Sequence, residues 1–269
     1  MIMISIEPIR ARKRFGQHFL HDPAVIERII SAIAPDIGEI MVEIGPGLGA
    51  LTRPLLALSE CLHVVELDRD IARKLAMEFE GQGLHLYIAD ALTFDFATLS
   101  HADRPLRVVG NLPYNISTPL LFHLLAQSEY IRDMHLMFQR EVANRIVASP
   151  GNGCYGRLSV MTQWHCRAEK LFDVGPGAFT PSPRVTSSVV RLTVRSAPPV
   201  PISDQGILER LVAKVFSQRR KTLRNCLRGW LIPAEIMAAG VDPGARPETL
   251  DLRQFASLSN QVAAGSYKG

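Results

Sequence analysis

The stretch IMVEIGPGLGALTRPLLALSECLHVVELDRDIARKLAMEF, residues 40–79, decides the fold. It opens on the apolar run IMVEI, breaks at a glycine-rich turn, goes on in the helical pattern ALTRPLLAL, and repeats the alternation in HVVEL and RDIARKLAMEF. Strands that alternate with helices in this way form a parallel sheet covered by helices on both faces. Further along, LHLYI, LRVVG, PLLFHLLAQ and MHLMF continue the pattern as far as Phe138. Ser117, Thr118 and Pro119 read as a helix start, a hydroxyl cap followed by proline at the first helical position. After Arg184, VTSSVVRLTVR reads as one more strand, and APPVP then places three prolines in four residues. Such a cluster ends regular structure, so the domain boundary is set there, giving an α/β domain over 1–197 and a small helical domain over 198–269. In the second part Ile207, Leu208, Leu211, Val212, Val215 and Phe216 recur at helical spacing.

With 269 residues, one large domain and a small appendage are expected, and 47% hydrophobic residues suit a packed soluble chain. No apolar run reaches the roughly 18 residues of a membrane span, and the N-terminal MIMISIEPIRARKRF has its charges after its short apolar stretch rather than before. No secretion signal is expected, and the cytoplasm is the expected compartment. Cys61, Cys154, Cys166 and Cys226 make no CxxC pair and the eight histidines no HExxH, so neither a metal site nor a disulfide framework is expected. The net charge is only +4, but it is unevenly spread. Arg210, Lys214, Arg219, Arg220, Lys221, Arg224 and Arg228 face two acids, Asp204 and Glu209, between Val200 and Trp230, and Arg10, Arg12, Lys13 and Arg14 cluster near the start. Two basic patches suggest an anionic polymer, although solvated faces give similar runs.

The run Glu43, Ile44, Gly45, Pro46, Gly47, Leu48, Gly49 sits between an apolar strand and a helix, where glycine lets backbone approach a ligand. Gly45, Gly47 and Ala50 also satisfy the permissive dinucleotide form, and an ordinary tight turn has similar glycines, so the motif alone is weak. The acids at the next strand ends separate the readings. Glu66 closes HVVEL, placed to accept both hydroxyls of a ribose, and Asp90 follows LHLYI within reach of an adenine amino group. Taken singly, either acid is also an ordinary helix-cap or turn residue. Two acids at successive strand ends match a pocket for S-adenosylmethionine.

Asn111, Leu112, Pro113 and Tyr114 stand at the end of LRVVG. The lone pair of an adenine N6 is delocalised into the ring, and a methyl acceptor site must redirect it. The Asn111 side-chain oxygen and the Leu112 carbonyl can each accept one N6 hydrogen, Pro113 biases Leu112 toward an extended backbone, and Tyr114 offers a face for an unstacked base. An Asn-initiated turn beside a buried tyrosine has the same letters. The glycine loop in the same parallel sheet favours the functional reading. A nicotinamide dehydrogenase would need a hydride-site acid/base constellation that is not evident; Glu66, Asp90 and Asn111 speak against a purely RNA-binding assembly factor, while methylation and a role in small-subunit biogenesis can coexist.

The chain resembles the ribosomal RNA adenine dimethyltransferases, and within them the branch that dimethylates two adjacent adenosines near the 3′ end of small-subunit (16S) rRNA. The resemblance runs through RKRFGQHFLHD, VEIGPGLGALT, VVELDRD, ADAL, NLPYNIST, FQREVANRI, YGRLSV, FTPSPRVTSSV and FSQRRKTLRN, and the last string favours the small-subunit branch over the large-subunit one. It implies a Rossmann-like S-adenosylmethionine-binding catalytic domain followed by a helical RNA- and ribosome-binding domain. It also implies that the segment of Gln17, His18, Phe19 and Leu20 folds over the cofactor. Gly45, Gly47, Glu66, Asp90, Ala91 and Asn111 would line its pocket, with NLPY as the catalytic loop. Phe179 matches an aromatic residue implicated in holding the target base, although it also reads as a core phenylalanine, and the basic helix of Arg219, Arg220, Lys221 and Arg224 would contact rRNA. His18 stands where the family commonly has asparagine.

Overall fold

The computed structural model describes residues 12, 16–101 and 104–265. In chain order the elements are β1 (Phe19–Leu20), α1 (Pro23–Ile33), β2 (Ile40–Ile44), α2 (Thr52–Leu58), β3 (Leu62–Glu66), α3 (Arg69–Glu78), β4 (Leu84–Ile88), β5 (Leu106–Asn111), α4 (Ser117–Ala126) and β6 (Ile131–Gln139). There follow α5 (Arg140–Ile146), α6 (Arg157–His165), β7 (Cys166–Val174), β8 (Phe179–Thr180), β9 (Ser187–Val194), α7 (Gln205–Ser217), α8 (Leu223–Cys226), α9 (Pro233–Ala238) and α10 (Leu252–Ala264).

A seven-stranded sheet has the order β4-β3-β2-β5-β6-β9-β7. β4, β3, β2, β5 and β6 run parallel, and β6 meets β9 antiparallel. Strands buried on both faces read as continuous apolar runs, and Met41, Val42, Val64 and Val108 are fully buried here. The chain moves outward from β2 in one direction through β3 and β4, then returns to β5 on the other side. That reversal leaves a crevice at the carboxyl ends of the strands, where α/β sheets take ligands. Beside this sheet, β1 and β8 form an antiparallel pair with Phe19 opposite Thr180 and Leu20 opposite Phe179. Helix α1 starts where the sequence dictates: the Asp22 carboxylate accepts the N–H groups of Ala24 and Val25, and Pro23 takes the first turn.

Two corrections concern local structure. Ser117 is already helical and caps nothing; its hydroxyl donates to the Tyr114 carbonyl at 3.1 Å, and Ile116 is the N-cap. The basic run 219–224 is not one helix, since α7 stops at Ser217 and Arg219, Arg220 and Lys221 lie in the turn before α8.

The chain divides into two compact units, residues 1–143 with 169–194 and residues 144–168 with 195–269. The second unit leaves the first close to the proline cluster, but it also takes residues 144–168, which the sequence reading had given to the first domain. The first unit's core gathers Ile29, Ile33, Met41, Leu55, Val64 and Val109 between α1, α2 and the sheet. In the second, α7 buries Leu208, Leu211, Val212 and Val215, and α10 buries Phe255, Leu258 and Val262. Helix α6 joins α7 in that unit with Leu158, Val160 and Trp164 buried.

Candidate active site

The crevice at the carboxyl ends of the parallel strands holds a cavity of about 330 Å³ within the first unit. The glycine turn after β2 forms one wall, and it needs glycine: Gly45 and Gly47 have φ of +65° and +56°, and a Cβ on Gly47 would meet the Phe19 ring at 3.0 Å. Of the residues singled out for the cofactor, Gln17, His18, Leu20, Gly45 and Gly47 line this cavity, as do Glu66, Asp90 and Ala91. Asn111, Leu112, Pro113 and Tyr114 line it too, so both sets of strand-end residues meet in one place.

Glu66 closes β3 with one carboxylate oxygen accepting the Asp68 N–H at 2.7 Å. Burial pushes its carboxyl up to about 7, with backbone N–H groups pulling down and the Asp68 charge pushing up. Asp90 spends one oxygen on the Leu92 N–H at 2.9 Å, so it shapes its own turn while lining the cavity. Glu43 was legible as part of the glycine motif but had no assigned role. It is 2% exposed, lines the cavity and accepts the Thr52 hydroxyl at 2.7 Å. Burial raises it to about 7 as well, against the Thr52 hydrogen bond and with help from Glu66. An acid inside a fully buried strand was the signal available in the sequence.

Asn111 ends β5, and its Nδ2 donates to the His18 carbonyl at 2.9 Å, which fixes the amide and leaves Oδ1 as its acceptor. Tyr114 is held on two sides: its hydroxyl meets the Ser187 Oγ at 2.6 Å, and the His18 ring stacks on it at 5.5 Å and 28°. His18 Nδ1 lies 2.7 Å from the Pro181 carbonyl, an oxygen that only accepts, so this nitrogen carries the proton. His18 thus stacks on one face of Tyr114 beside the cavity. Ser187 and Pro181 carried no sequence signal, because their contacts come from residues more than sixty positions away.

Other assignments land elsewhere. Phe179 is 3% exposed in the core with Leu20, Val174 and Val189, and it is not among the cavity's lining residues. Arg12, placed with the N-terminal basic cluster, pairs with Asp68 and Asp70; Arg10, Lys13 and Arg14 lie outside the described residues. Arg219 donates to the Gly153 carbonyl at 2.7 Å and approaches Glu248, whereas Arg220, Lys221 and Arg224 are exposed. Among the described residues no group of three or more His, Cys, Asp or Glu side chains is placed to hold a metal ion.

Residues 9–264 match the family described as ribosomal RNA adenine dimethylase. The small-subunit ribosomal RNA methyltransferase A of Pseudomonas fluorescens is 56% identical over 255 residues, covering 94% of each chain. That of Nitrosococcus oceani is 56% identical over 251 residues, covering 93% of this chain and 95% of its own. Among solved structures, a dimethyladenosine transferase from Plasmodium falciparum superposes with a TM-score of 0.77 at 25% identity, over 90% of this chain and 96% of that one. The 23S rRNA methyltransferase ErmE gives 0.69 at 26% identity, over 91% and 99%.

Proposed function

The chain belongs to the ribosomal RNA adenine dimethylase family, and from that membership and the cavity's geometry we propose how its residues carry out the dimethylation. It is an S-adenosylmethionine-dependent methyltransferase acting on adenine in rRNA. The proposed substrate is a pair of adjacent adenosines in 16S rRNA, presented by a small subunit or its precursor. The relatives at 56% identity act on the small subunit, whereas the large-subunit enzyme ErmE matches at 26%, and this difference favours the small-subunit reading. A cytoplasmic location accords with that substrate.

The cavity's donor set fits the cofactor: glycine backbone on one side, Glu66 for ribose hydroxyls, Asp90 for an adenine amino group. Bound there, S-adenosylmethionine would supply an electrophilic sulfonium methyl. Glu66 binds the hydroxyls best when ionised, and hydroxyl donors favour that form over the protonated one. The tie from Asn111 Nδ2 to the His18 carbonyl is the observation that carries the chemical reading. With the amide fixed, Oδ1 accepts one N6 hydrogen and the Leu112 carbonyl the other, turning the nitrogen lone pair toward the methyl group. Tyr114, which lines the cavity, stacks on the lifted base. The N6 proton then leaves to water once the new bond has formed, and a monomethylated amine keeps one hydrogen for the same site to hold. In the second unit, Arg220, Lys221 and Arg224 are the proposed phosphate contacts, with 198–269 contributing the RNA- and ribosome-binding surface; Phe179 backs Leu20 behind the cavity.

The test is methyl mapping. Small-subunit particles from cells lacking this gene, incubated with the protein and S-adenosylmethionine, should gain dimethyladenosine at two adjacent positions near the 3′ end of 16S rRNA. Modification of 23S rRNA instead would sink the small-subunit assignment.

A further inference from the structure

Residue Asp68 stands just outside the cavity, at the N-cap of α3, where its carboxylate accepts the Asp70 N–H at 3.1 Å. Capping explains one of its contacts and leaves three others. The Asp68 side chain is 1% exposed, and a carboxylate that deeply buried needs a counter-charge. Arg12, 56 positions away in sequence, supplies it, with Nη1 at 2.9 Å from Oδ1 and its second terminal nitrogen on Asp70. Gln17 closes a ring between the two: its Oε1 accepts the Arg12 backbone N–H at 2.8 Å, and its Nε2 donates to Asp68 Oδ2 at 3.4 Å. The backbone N–H of Asp68 in turn holds Glu66 Oε1 at 2.7 Å.

One buried acid therefore touches both the strap that covers the cavity and the carboxylate beneath it. Both ends of the Gln17 amide are spent on Arg12 and Asp68. The far end of the strap is fastened separately, by the pairing of β1 with β8, by the His21 N–H on the Ala178 carbonyl and by the His18 ring on Pro181. The near end rests on the Arg12–Asp68 clasp.

We propose that Asp68 is a positioning residue of the cofactor site and Arg12 its counter-ion, together clamping the strap Gly16–Leu20 over the cavity and fixing the Glu66 carboxylate for the ribose. This rests on the reading of the cavity as the cofactor pocket. The clasp acts on binding and leaves the Asn111–Leu112 geometry to its own supports, so it should alter KM for S-adenosylmethionine and not kcat. Arg12 also shields Asp68, whose negative charge bears on Glu66; without the guanidinium, Glu66 would be harder to ionise.

The experiment compares Arg12→Ala, Arg12→Lys, Asp68→Asn and Glu66→Gln in the full chain. Asparagine also caps helices, so Asp68→Asn keeps α3 intact while discharging the clasp. Calorimetry gives the dissociation constant for S-adenosylmethionine, kinetics on small-subunit particles give KM and kcat, and hydrogen exchange reports the amides of Gln17–Leu20. Arg12→Ala and Asp68→Asn should each weaken cofactor binding and raise its KM by about tenfold, with kcat at saturating cofactor within about twofold. Exchange across Gln17–Leu20 should quicken, and Arg12→Lys should recover part of the loss. If Glu66→Gln weakens binding while Arg12→Ala binds like the wild type, the clasp inference is overturned and the pocket reading stands. A fall in kcat with KM unchanged also overturns it. If Glu66→Gln itself leaves binding unaltered, the pocket reading fails, and with it the clasp's assigned role.

Discussion

The two ends of the same parallel sheet treat buried charge in opposite ways. At the amino end, Arg107 of β5 lies between Glu39 at 2.6 Å and Asp133 at 3.0 Å; the Nη1 that meets Glu39 also donates to the Ala34 carbonyl, and Nη2 donates to that of Ile33, at the end of α1. Burial pushes both acids up, but for Asp133 the His135 ring 3.4 Å away and Arg107, and for Glu39 the Arg107 hydrogen bond and charge, outweigh it and hold both low. Toward the carboxyl end, Glu43 stands two residues and Glu66 four residues beyond the Arg107 level, roughly 7 and 13 Å by the strand rise, and both are raised to about 7. A charge that the chain itself satisfies holds the fold together, and a charge left wanting is one the chain keeps for a ligand.

Breaking the satisfied end should have the largest effect. Arg107→Ala takes the inner cation from buried Asp133 and half-buried Glu39, leaving them only the exposed Arg132, and should cost about 3 kcal/mol of stability in denaturant unfolding. In the fraction still folded, affinity for S-adenosylmethionine should be unaltered; a mutant as stable as the wild type would erase the contrast.

At the ligand end the expected loss is catalytic. Asn111→Ala should lower single-turnover methyl transfer by about 10²-fold, with cofactor binding falling less. Dimethyladenosine formed at the normal rate would mean that another group orients N6.

The contrast is also readable in pH. Raised carboxyls add stability that is fully present below about 4.5 and lost as pH rises through about 7, whereas Glu39 and Asp133 add stability that is lost as pH falls through their lowered values. Stability without cofactor should therefore peak on the acid side of neutrality, near pH 5. Glu43→Gln should remove about 2 kcal/mol of the decline between pH 5 and 8, measured by urea unfolding across that range. Saturating cofactor, which favours ionised Glu66, should move the peak upward.

The smallest effect sharpens the same distinction in the second unit. Arg219 is engaged by Gly153 and Glu248, while its neighbours are exposed. Replacing Arg220, Lys221 and Arg224 by alanine should reduce the slope of log affinity for rRNA against log salt by about 2 to 3, and Arg219→Ala by less than about 1. Equal changes for all four would show one undifferentiated basic face.

Much of this was legible because strand-end chemistry is local. The runs at β2, β3, β4 and β5 carry their own periodicity, and the residues at or just past the carboxyl end of each, Gly45, Glu66, Asp90 and Asn111, are the ones that reach the crevice. What escaped depends on partners distant in sequence. The two-residue strands β1 and β8 have no pattern to read, and Arg12 looked like one more cation in a basic run until Asp68, far along the chain, claimed it. The basic run at 219–224 was expected as one helix, yet α7 ends at Ser217 and the Lys221 N–H bonds the Gln218 carbonyl in a turn before α8 begins at Leu223.

The second unit is assembled from two separate lengths of chain, 144–168 and 195–269, with α6 from the first packed on α7 from the second. A gene cut once at the proline cluster would hand on α7 to α10 without α6, stranding Leu158, Val160 and Trp164 on one side and uncovering α7 on the other. Recombination between relatives can therefore exchange this module only with two coordinated junctions, and lineages that trade the two units by single crossovers should be rare. Inheritance as a whole is the expected habit of such a chain.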